Sequence, residues 1–373
     1  MDTCLKLAAQ AAGRTSPNPL VGAVVIGEDG LTVAEGYHQA AGQPHAEVVA
    51  LEKAGEKARG GTLYVNLEPC SHWGKTPPCV DRVIASGVKS VVVGMVDPNP
   101  EVSGAGIKAL REAGIEVTVG VLEQDCRWLN RGFIKTKILR IPWLCLKLAT
   151  TLDGKIADRQ GTSRWVSGLE ARLHVHELRN TFDCVLIGAA TVVIDDPELN
   201  VRGIPGGRHP LRVVVDPELV VSPSARICRP DSGGATVIFC SQRALDKRGK
   251  SYPEHVRLVA VGTLPRQPQK LDLRSVLSWL SSQGMLTVLC EGGGRLSAAL
   301  LKTGLADEVE WIVSPKIIGD PQAIAAVAGE EPVLLSDAIQ LHRVSVKLLG
   351  SDVLIQGTLP FGPASSAQAG TLD

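Results

Sequence analysis

Three features that would indicate a membrane protein or a nucleic-acid-binding protein are missing from this sequence. No apolar run approaches the roughly 18 to 20 residues that cross a bilayer. The 39 Lys and Arg residues are balanced by 39 Asp and Glu residues, and aromatic residues make up only 3% of the chain. Since no excess of positive charge attracts phosphate backbones or anionic lipids, we expect neither nucleic acid nor a membrane as a partner.

The sequence also lacks the marks of an exported, disulfide-bonded protein. Residues 1–4 do not begin a basic-then-apolar leader, so we expect a cytoplasmic protein. The nine cysteines are an odd number, scattered from Cys4 to Cys290. Cysteines that the fold brings together are therefore expected to hold a metal rather than to form disulfides.

Length and residue pattern predict two α/β domains. The 373 residues are too many for one small core, and the hydrophobic content of 44% is typical of a globular protein. Ile141 precedes Pro142 and is thereby disfavoured in a helix, so we place the boundary there. We predict one domain over residues 1–141, a second over 142–361 and a flexible tail over 362–373.

Helical and strand patterns alternate in both segments, which indicates an α/β fold. In the first segment the predicted strands are 20–26, 31–35, 62–66, 89–94 and 115–119, and the predicted helices are 5–12, 45–58, 80–86, 106–113 and 123–135. In the second segment the predicted strands are 143–148, 184–187, 211–215, 236–240, 256–261, 286–289 and 309–314, and the clearest helices are 169–179 and 295–303.

The strongest chemical signal is His45 and Glu47 followed by Cys70 and Cys79. Zinc favours thiolate and imidazole ligands, and three protein ligands leave the fourth position open for water, as in catalytic sites. Bound zinc lowers the pKa of that water to about 7. A carboxylate that does not bind the metal can then carry the proton, and Glu47 is placed for that role.

His45 with Glu47, and further along the chain Cys79, each fall where a helix is predicted to begin. Residues two apart in a regular helix point about 200° from each other, so His45 and Glu47 can act together only at an irregular helix entrance. Other interpretations remain open at this point. His45 and the cysteines could be ordinary core residues, or a fourth ligand could close a purely structural zinc site.

The spacing departs from the general zinc-deaminase signature, in which Pro-Cys-x-x-Cys follows His-x-Glu. Here eight residues, 71–78, separate Cys70 from Cys79. This inserted loop carries Lys75, which could bind an anionic group of a substrate.

These residues resemble the bifunctional pyrimidine deaminase/reductase family of riboflavin biosynthesis. The resemblance lies in residues 16–24, in the His45-Ala46-Glu47 block, in residues 67–79 with their long linker between cysteines, and in residues 97–100. It continues through the second segment and covers nearly the whole chain apart from the tail. It implies an N-terminal cytidine-deaminase-like three-layer domain followed by a dihydrofolate-reductase-like α/β domain.

The resemblance also implies two successive reactions. The first is zinc-dependent hydrolytic deamination of a phosphoribosylamino diaminopyrimidinone, and the second is NADPH reduction of the ribosyl group to ribityl. By this resemblance zinc binds to His45, Cys70 and Cys79, and Glu47 moves protons. Substrate contacts in the deaminase half are expected from Asn18, His38 and Lys75.

The residues of the second segment alone indicate less about its function. A predicted strand over 286–289 leads through Glu291 and the glycines 292–294 into a helix, which suits a phosphate but equally a tight turn. By resemblance, NADPH is expected at Ala149, Trp165, Thr191, Asp195, Gly293, Gly294, Arg295, Leu296, Ser297, Ala298 and Ala299. The phosphoribosyl substrate is expected at Ser163, Arg179, Leu199, Arg202 and Glu291, and the candidates for influencing hydride transfer are Lys147 and Asp195.

Three alternatives stay open from the sequence. The second half could be an inactive or regulatory nucleotide-binding module, the first half could be a deaminase-like domain that acts on RNA, or the metal site could be structural. Low aromatic content and zero net charge disfavour the RNA alternative. A homo-oligomer is possible, but the sequence does not decide it.

Overall fold

The computed structural model of the chain describes residues 1–73, 77–100, 102–329 and 334–360. The chain divides into two compact units, Met1–Ile141 and Pro142–Asp373, and each is described by itself. Lys75 and the predicted tail 362–373 lie outside the described residues. None of the described helices is long and apolar enough to cross a membrane.

The first unit is built on a five-stranded sheet with the order β2-β1-β3-β4-β5. Strand β1 pairs antiparallel with β2 and β3, whereas β3, β4 and β5 are parallel. The strands are β1 Gly22–Ile26, β2 Thr32–Tyr37, β3 Thr62–Leu67, β4 Ser90–Met95 and β5 Glu116–Val119. The helices are α1 Asp2–Ala9, α2 Ala46–Ala54, α3 Cys79–Ser86, α4 Ala105–Glu112, α5 Glu123–Leu129 and α6 Arg131–Leu139.

Two glycines show that helices cover both faces of this sheet. A Cβ atom at Gly22 would lie 2.1 Å from the Cys4 carbonyl oxygen of α1, and one at Gly36 would lie 2.7 Å from the Ala46 carbonyl oxygen of α2. Gly36 pairs with Ala23, the neighbour of Gly22, so the two glycines face opposite sides. The unit therefore has three layers, which confirms the predicted α/β class.

One predicted helix of the first unit is wrong in its extent. The pattern predicts a single helix over 123–135, but the chain forms α5 and α6 with a break at Asn130. The Asn130 side chain accepts a hydrogen bond from the Leu20 backbone N–H (2.8 Å) and donates one to the Leu20 carbonyl (3.0 Å). Because this partner lies far away in sequence, the local pattern could not indicate the break.

The second unit contains a nine-stranded sheet with the order β11-β10-β9-β8-β14-β6-β15-β18-β17. The strands from β11 to β15 are parallel, and β18 and β17 are antiparallel at one edge. The sheet strands are β6 Trp143–Thr151, β8 Cys184–Gly188, β9 Leu211–Val215, β10 Thr236–Cys240, β11 Val256–Ala260, β14 Thr287–Cys290, β15 Glu308–Ser314, β17 His342–Leu349 and β18 Asp352–Thr358.

Short strand pairs and five α-helices complete the described part of this unit. The pairs are β7 Lys155–Ala157 with β16 Ile324–Ala325, and β12 Thr263–Leu264 with β13 Gln267–Leu271. The helices are α7 Leu169–Thr181, α8 Ala189–Asp195, α9 Gln242–Arg248, α10 Leu273–Ser282 and α11 Gly294–Lys302. All seven strands predicted for this segment are present with ends shifted by a few residues, whereas β17 and β18 were not predicted.

The parallel arrangement positions the candidate reductase residues. The central strands β8, β14 and β6 lie side by side and run in one direction. Their carboxyl ends therefore meet at one edge of the sheet, the usual ligand-binding edge of open α/β sheets. Lys147 is the central residue of β6, one position beyond Leu146, which pairs with the last residue of β14, Cys290. Helix α8 follows β8 directly, and Glu291 follows β14.

Candidate functional site

Three predicted metal ligands come together in the first unit. His45 is the N-cap residue of α2, Cys70 follows β3, and Cys79 is the first residue of α3. The His45 Nδ1 atom lies 3.1 Å from Cys79 Sγ and 3.6 Å from Cys70 Sγ. Tetrahedral zinc with bonds of about 2.1 Å to nitrogen and 2.3 Å to sulfur separates its ligand atoms by about 3.5 to 3.8 Å. The donor set fits zinc, and the three ligand atoms lie within 4.8 Å of one another, close enough to bind one ion.

Local backbone geometry explains how these ligands converge. His45 has extended backbone angles (φ −73°, ψ 161°) immediately before the regular helix. This confirms the irregular helix entrance that was predicted for His45 and Glu47. Among the residues that the structure describes, the cluster of potential metal ligands consists of His45, Cys70 and Cys79 alone. A three-ligand set leaves one tetrahedral position for a water or substrate atom.

Hydrogen bonds favour the thiolate form of Cys70. Its sulfur accepts a hydrogen bond from the Cys79 backbone N–H at the start of α3 (3.3 Å). Hydrogen bonds from the Cys79 thiol and from His45 lower the pKa of Cys70 to about 4, although burial opposes this. The same contact raises the pKa of Cys79, and hydrogen bonding to Cys70 raises the pKa of His45. These contacts favour the thiolate form of Cys70, which is the form that binds a metal.

Glu47 is a buried carboxyl group beside this cluster. It is only 3% exposed, and burial raises its pKa to about 7. A metal ion held by the three ligands would add positive charge and act in the opposite direction. A carboxyl group whose pKa lies near neutral can both accept and return a proton.

Asn18 and His38 lie in the same cleft as Glu47 and Cys70, a cleft of about 330 Å³. The His38 Nδ1 atom lies 3.1 Å from the Pro44 carbonyl oxygen, and Nε2 lies 3.0 Å from Asn18 Nδ2. Because a carbonyl can only accept, the proton of His38 must be on Nδ1, and Nε2 accepts from the Asn18 amide. Burial lowers the pKa of His38, which favours this neutral form.

A second polar cluster lies at the carboxyl edge of the large sheet. The Arg179 guanidinium donates to both carboxylate oxygens of Glu291, at 2.6 and 3.0 Å, and Lys147 Nζ lies 3.5 Å from Glu291 Oε2. Burial alone would raise the pKa of Glu291, but the charges of Arg179 and Lys147 outweigh it and lower the pKa to about 2. Burial lowers the pKa of Lys147.

The glycine-rich turn leads into a helix that begins with no side-chain cap. Gly293 is the N-cap residue of α11, and Ser297 in its first turns is fully buried. A Cβ atom at Gly294 would lie 2.4 Å from the Ala325 carbonyl oxygen, so only glycine fits there. A Cβ atom at Gly293 would lie 3.5 Å from Thr191 Oγ1, which places two of the predicted cofactor-binding residues together. The helix start presents partial positive charge.

Comparisons with known proteins identify both domains. Residues 1–95 match the family model described as the cytidine and deoxycytidylate deaminase zinc-binding region, and residues 142–355 match the RibD C-terminal domain. Riboflavin biosynthesis protein RibD of Aquifex aeolicus (strain VF5) is 41% identical over 355 residues, which cover 95% of this chain and 96% of that protein. The chain belongs to the RibD family.

Two solved structures support the same family over the whole chain. Acinetobacter baumannii RibD has a TM-score of 0.85 at 34% identity. A Thermotoga maritima deaminase/reductase also has a TM-score of 0.85, at 39% identity. Each comparison covers 96% of this chain and 97% of the other. The RibD-family chain is thus a riboflavin biosynthesis protein with a zinc-dependent deaminase domain and an NADPH-dependent reductase domain, so a merely regulatory second half is not favoured.

Other residues predicted for the reductase domain of this RibD-family chain lie in several parts of the second unit. Ser163 Oγ donates to Asp195 Oδ1 (3.1 Å), and the guanidinium of Arg172 stacks 4.3 Å from the Trp165 ring centroid. Trp165 is largely exposed. Ala149 in β6 packs against a small apolar cluster that includes Ile312 and Leu354. The remaining cofactor candidates, Arg295, Leu296, Ala298 and Ala299, lie on α11.

Two predicted substrate residues, Leu199 and Arg202, lie in different surroundings from the ion pair of Arg179 and Glu291. The Leu199 side chain is buried in the main hydrophobic cluster, so any contact with substrate would have to use its backbone. The Arg202 side chain is 62% exposed and is held by Glu198 at 3.0 Å. Whether either residue binds substrate stays a prediction.

The cleft of the deaminase domain also contains residues to which the sequence analysis assigned no role. Its wall includes His72, Asp97, Asn99, Phe133 and Lys137. Residues 97–100 had already been noted as part of the family resemblance, and that was the available signal. Phe133 and Lys137 come from α6, whose position in the cleft depends on the break at Asn130.

Proposed function

We propose that this RibD-family chain catalyses both reactions named for its Thermotoga maritima relative. These are the diaminohydroxyphosphoribosylaminopyrimidine deaminase and the 5-amino-6-(5-phosphoribosylamino)uracil reductase activities. The observation that carries the first activity is the convergence of His45, Cys70 and Cys79 beside the buried Glu47 in one cleft. Hydrolytic deamination consumes water and releases ammonia, and therefore needs an activated water and a group that moves protons.

In the deaminase domain, the ligand set would hold zinc, which supplies a nucleophile at neutral pH by lowering the pKa of a bound water to about 7. Glu47 accepts a proton at its carboxylate and returns it to the departing amine. Its burial supports this role, because burial raises the pKa of the carboxyl group while the charge of bound zinc would lower it, so that neither protonation state is strongly favoured. Asn18 and His38 orient the pyrimidine, and Lys75 is proposed to bind the anionic part of the substrate.

In the reductase domain, Arg179 and Lys147 are proposed to face the phosphoribosyl substrate, with Glu291 fixing both side chains. NADPH, the hydride source, would bind along the α11 entrance from Gly293 to Ala299, with Ala149, Trp165, Thr191 and Asp195 around it. Lys147 gives up its proton more readily than an exposed lysine because burial lowers its pKa. Ser163, Leu199 and Arg202 are proposed to complete the substrate site.

The deaminase proposal is tested with Glu47→Gln, which removes the carboxylate without changing its size. Loss of a positioned proton carrier lowers rates by about 10² to 10⁴. We therefore expect ammonia release to fall by that factor, while zinc content and NADPH oxidation with supplied deaminated intermediate stay normal. Glu52→Gln, at an exposed position of the same helix α2, is the matched control and should leave all three measurements unchanged.

Three results would contradict the proposal. Normal ammonia release by Glu47→Gln would exclude the proton-carrying role. Failure of the zinc-loaded wild-type chain to deaminate the substrate would exclude the deaminase activity itself. Absence of NADPH oxidation with the deaminated intermediate would refute the reductase assignment.

A further inference from the structure

Glu68 binds four backbone N–H groups with one buried carboxylate. It lies between β3 and the ligand Cys70, and it is 5% exposed. Its Oε2 accepts from the N–H groups of Asp97 and Gly104, both at 3.0 Å. Its Oε1 accepts from the N–H groups of Gly106 (2.9 Å) and Ile107 (3.2 Å). We name this set of four hydrogen bonds the Glu68 clamp.

The clamp holds the connection from β4 to α4 against the strand that leads to the metal site. This connection brings Asp97, Asn99 and Val102 into the wall of the cleft that also contains Glu47 and Cys70. Within it, Asp97 Oδ1 accepts from the Asn99 backbone N–H at 2.8 Å. The Asp97 side chain is therefore tied to the same clamped backbone.

The close approach of this connection depends on glycine as well as on Glu68. Gly104 has a φ of +79°, which favours glycine. A Cβ atom at Gly106 would lie only 2.1 Å from the Pro69 carbonyl oxygen. The backbone thus passes directly over the Glu68-Pro69 segment, and the N–H groups at the start of α4 point at the carboxylate.

Only a carboxylate can satisfy this arrangement. Both of its oxygens accept, whereas a glutamine offers one oxygen and one NH₂ group that can only donate. In Glu68→Gln, two of the four backbone N–H groups would therefore face a donor. Buried donors without an acceptor are unfavourable, so the connection would move away from its place in the cleft wall.

We propose that Glu68 is a positioning residue for the deaminase reaction, because it fixes residues 97–100 and 102–107 and with them the substrate-facing wall of the cleft. Glu68 neither binds the metal nor moves protons in this role. The inference rests on the proposed deaminase function, and it adds a determinant of substrate binding that lies outside the ligand set.

The test compares Glu68→Gln with Thr62→Val in the full-length, zinc-loaded protein. Thr62 joins β3 to β4 through a hydrogen bond to Ser90 (2.7 Å) at the opposite end of the strand, so its loss weakens the same strand pair without touching the clamp. For Glu68→Gln we expect the deaminase KM to rise at least tenfold, with kcat within about threefold of wild type. Zinc content and reduction of supplied intermediate should not change.

Amide hydrogen exchange gives a readout that needs no activity. Peptides covering 96–107 should exchange faster in Glu68→Gln than in wild type, and Thr62→Val should keep both the wild-type exchange in these peptides and the wild-type KM. Glu68→Asp keeps both oxygens but shortens the side chain, so we expect an intermediate KM. If Glu68→Gln does not fold, the KM and the hydrogen exchange of Glu68→Asp are measured instead.

An unchanged KM in Glu68→Gln would overturn the inference, even if exchange became faster. Loss of zinc with an unchanged KM in the loaded fraction would also overturn it, because Glu68 would then act on the ligand Cys70. Wild-type protein that failed to deaminate at all would instead refute the proposed function. This failure can be distinguished from a failure of the Glu68 inference, because the hydrogen-exchange comparison tests the clamp without any activity.

Discussion

Glu291 is expected to stabilise the reductase domain because it pairs with two largely buried cations, Arg179 and Lys147. Its side chain is 8% exposed, and the side chains of Arg179 and Lys147 are 13% and 14% exposed. In Glu291→Gln the shape is kept but the charge is lost, so both cations would remain buried without their counter-charge. We therefore predict a marked loss of stability that is confined to this domain.

Two estimates of the magnitude agree. A fall of the Glu291 pKa from the ordinary value of 4.5 to about 2 corresponds to about 3 kcal/mol, at about 1.4 kcal/mol per pH unit. Breaking a buried ion pair by removing one partner costs about 3 to 5 kcal/mol. For a domain of this size, about 3 kcal/mol lowers the melting temperature by about 6 to 12 °C.

The pH dependence has a definite sign. Because the pKa of Glu291 is lower in the folded state, its contribution is complete above pH 4.5 and is lost as the pH falls towards 2. The difference between wild type and Glu291→Gln should be constant from pH 7 to about pH 5. It should then shrink by about 1.4 kcal/mol per pH unit below 4.5, because Glu291 of the wild type takes up a proton in the unfolded state while it stays ionised in the folded state.

Scanning calorimetry of the full-length protein measures this effect. Zinc removal should shift the thermal unfolding transition of the deaminase domain. The transition that does not shift then reports on the reductase domain. Glu218→Gln is the matched control, since Arg243 donates to both oxygens of Glu218 at 2.8 and 2.7 Å, but this pair is exposed. Exposed pairs contribute less than about 1 kcal/mol. Equal effects of the two substitutions at pH 7, or a difference for Glu291→Gln that does not shrink below pH 4.5, would refute the reasoning.

Two further predictions concern the metal site and the reductase substrate site. In zinc-free protein, Cys70 should be alkylated by iodoacetamide at a rate that stays nearly constant from pH 6 to pH 8, because its pKa is lowered to about 4. Mass spectrometry should show zinc protecting it, and a rate that rises tenfold per pH unit would contradict the lowered pKa. Arg202→Ala should raise the reductase KM by about tenfold to a hundredfold, because the loss of one hydrogen bond to a charged group weakens binding by about that factor. Deamination should not change. Equal loss of both activities would argue against a substrate contact.

The local pattern of apolar and polar residues predicted most of the strands and helices. Buried parallel strands are continuous apolar runs, and for this reason the central strands of both sheets were predicted from the sequence. The edge strand β17 has almost no buried residue, so it lacks the apolar run that marks the central strands. The break between α5 and α6 was missed because it depends on the hydrogen bonds between Asn130 and Leu20.

The sequence by itself determined which chemistry the deaminase half can perform, because His45, Glu47, Cys70 and Cys79 form a motif whose ligand types and helix entrances can be recognised locally. The tertiary structure alone decided what surrounds that chemistry. Lys147 and Glu291 are 144 positions apart, yet they lie 3.5 Å from each other. Glu68 reaches backbone groups up to 39 positions away. Such contacts follow from strand order and loop packing, which no spacing of residues along the chain can indicate.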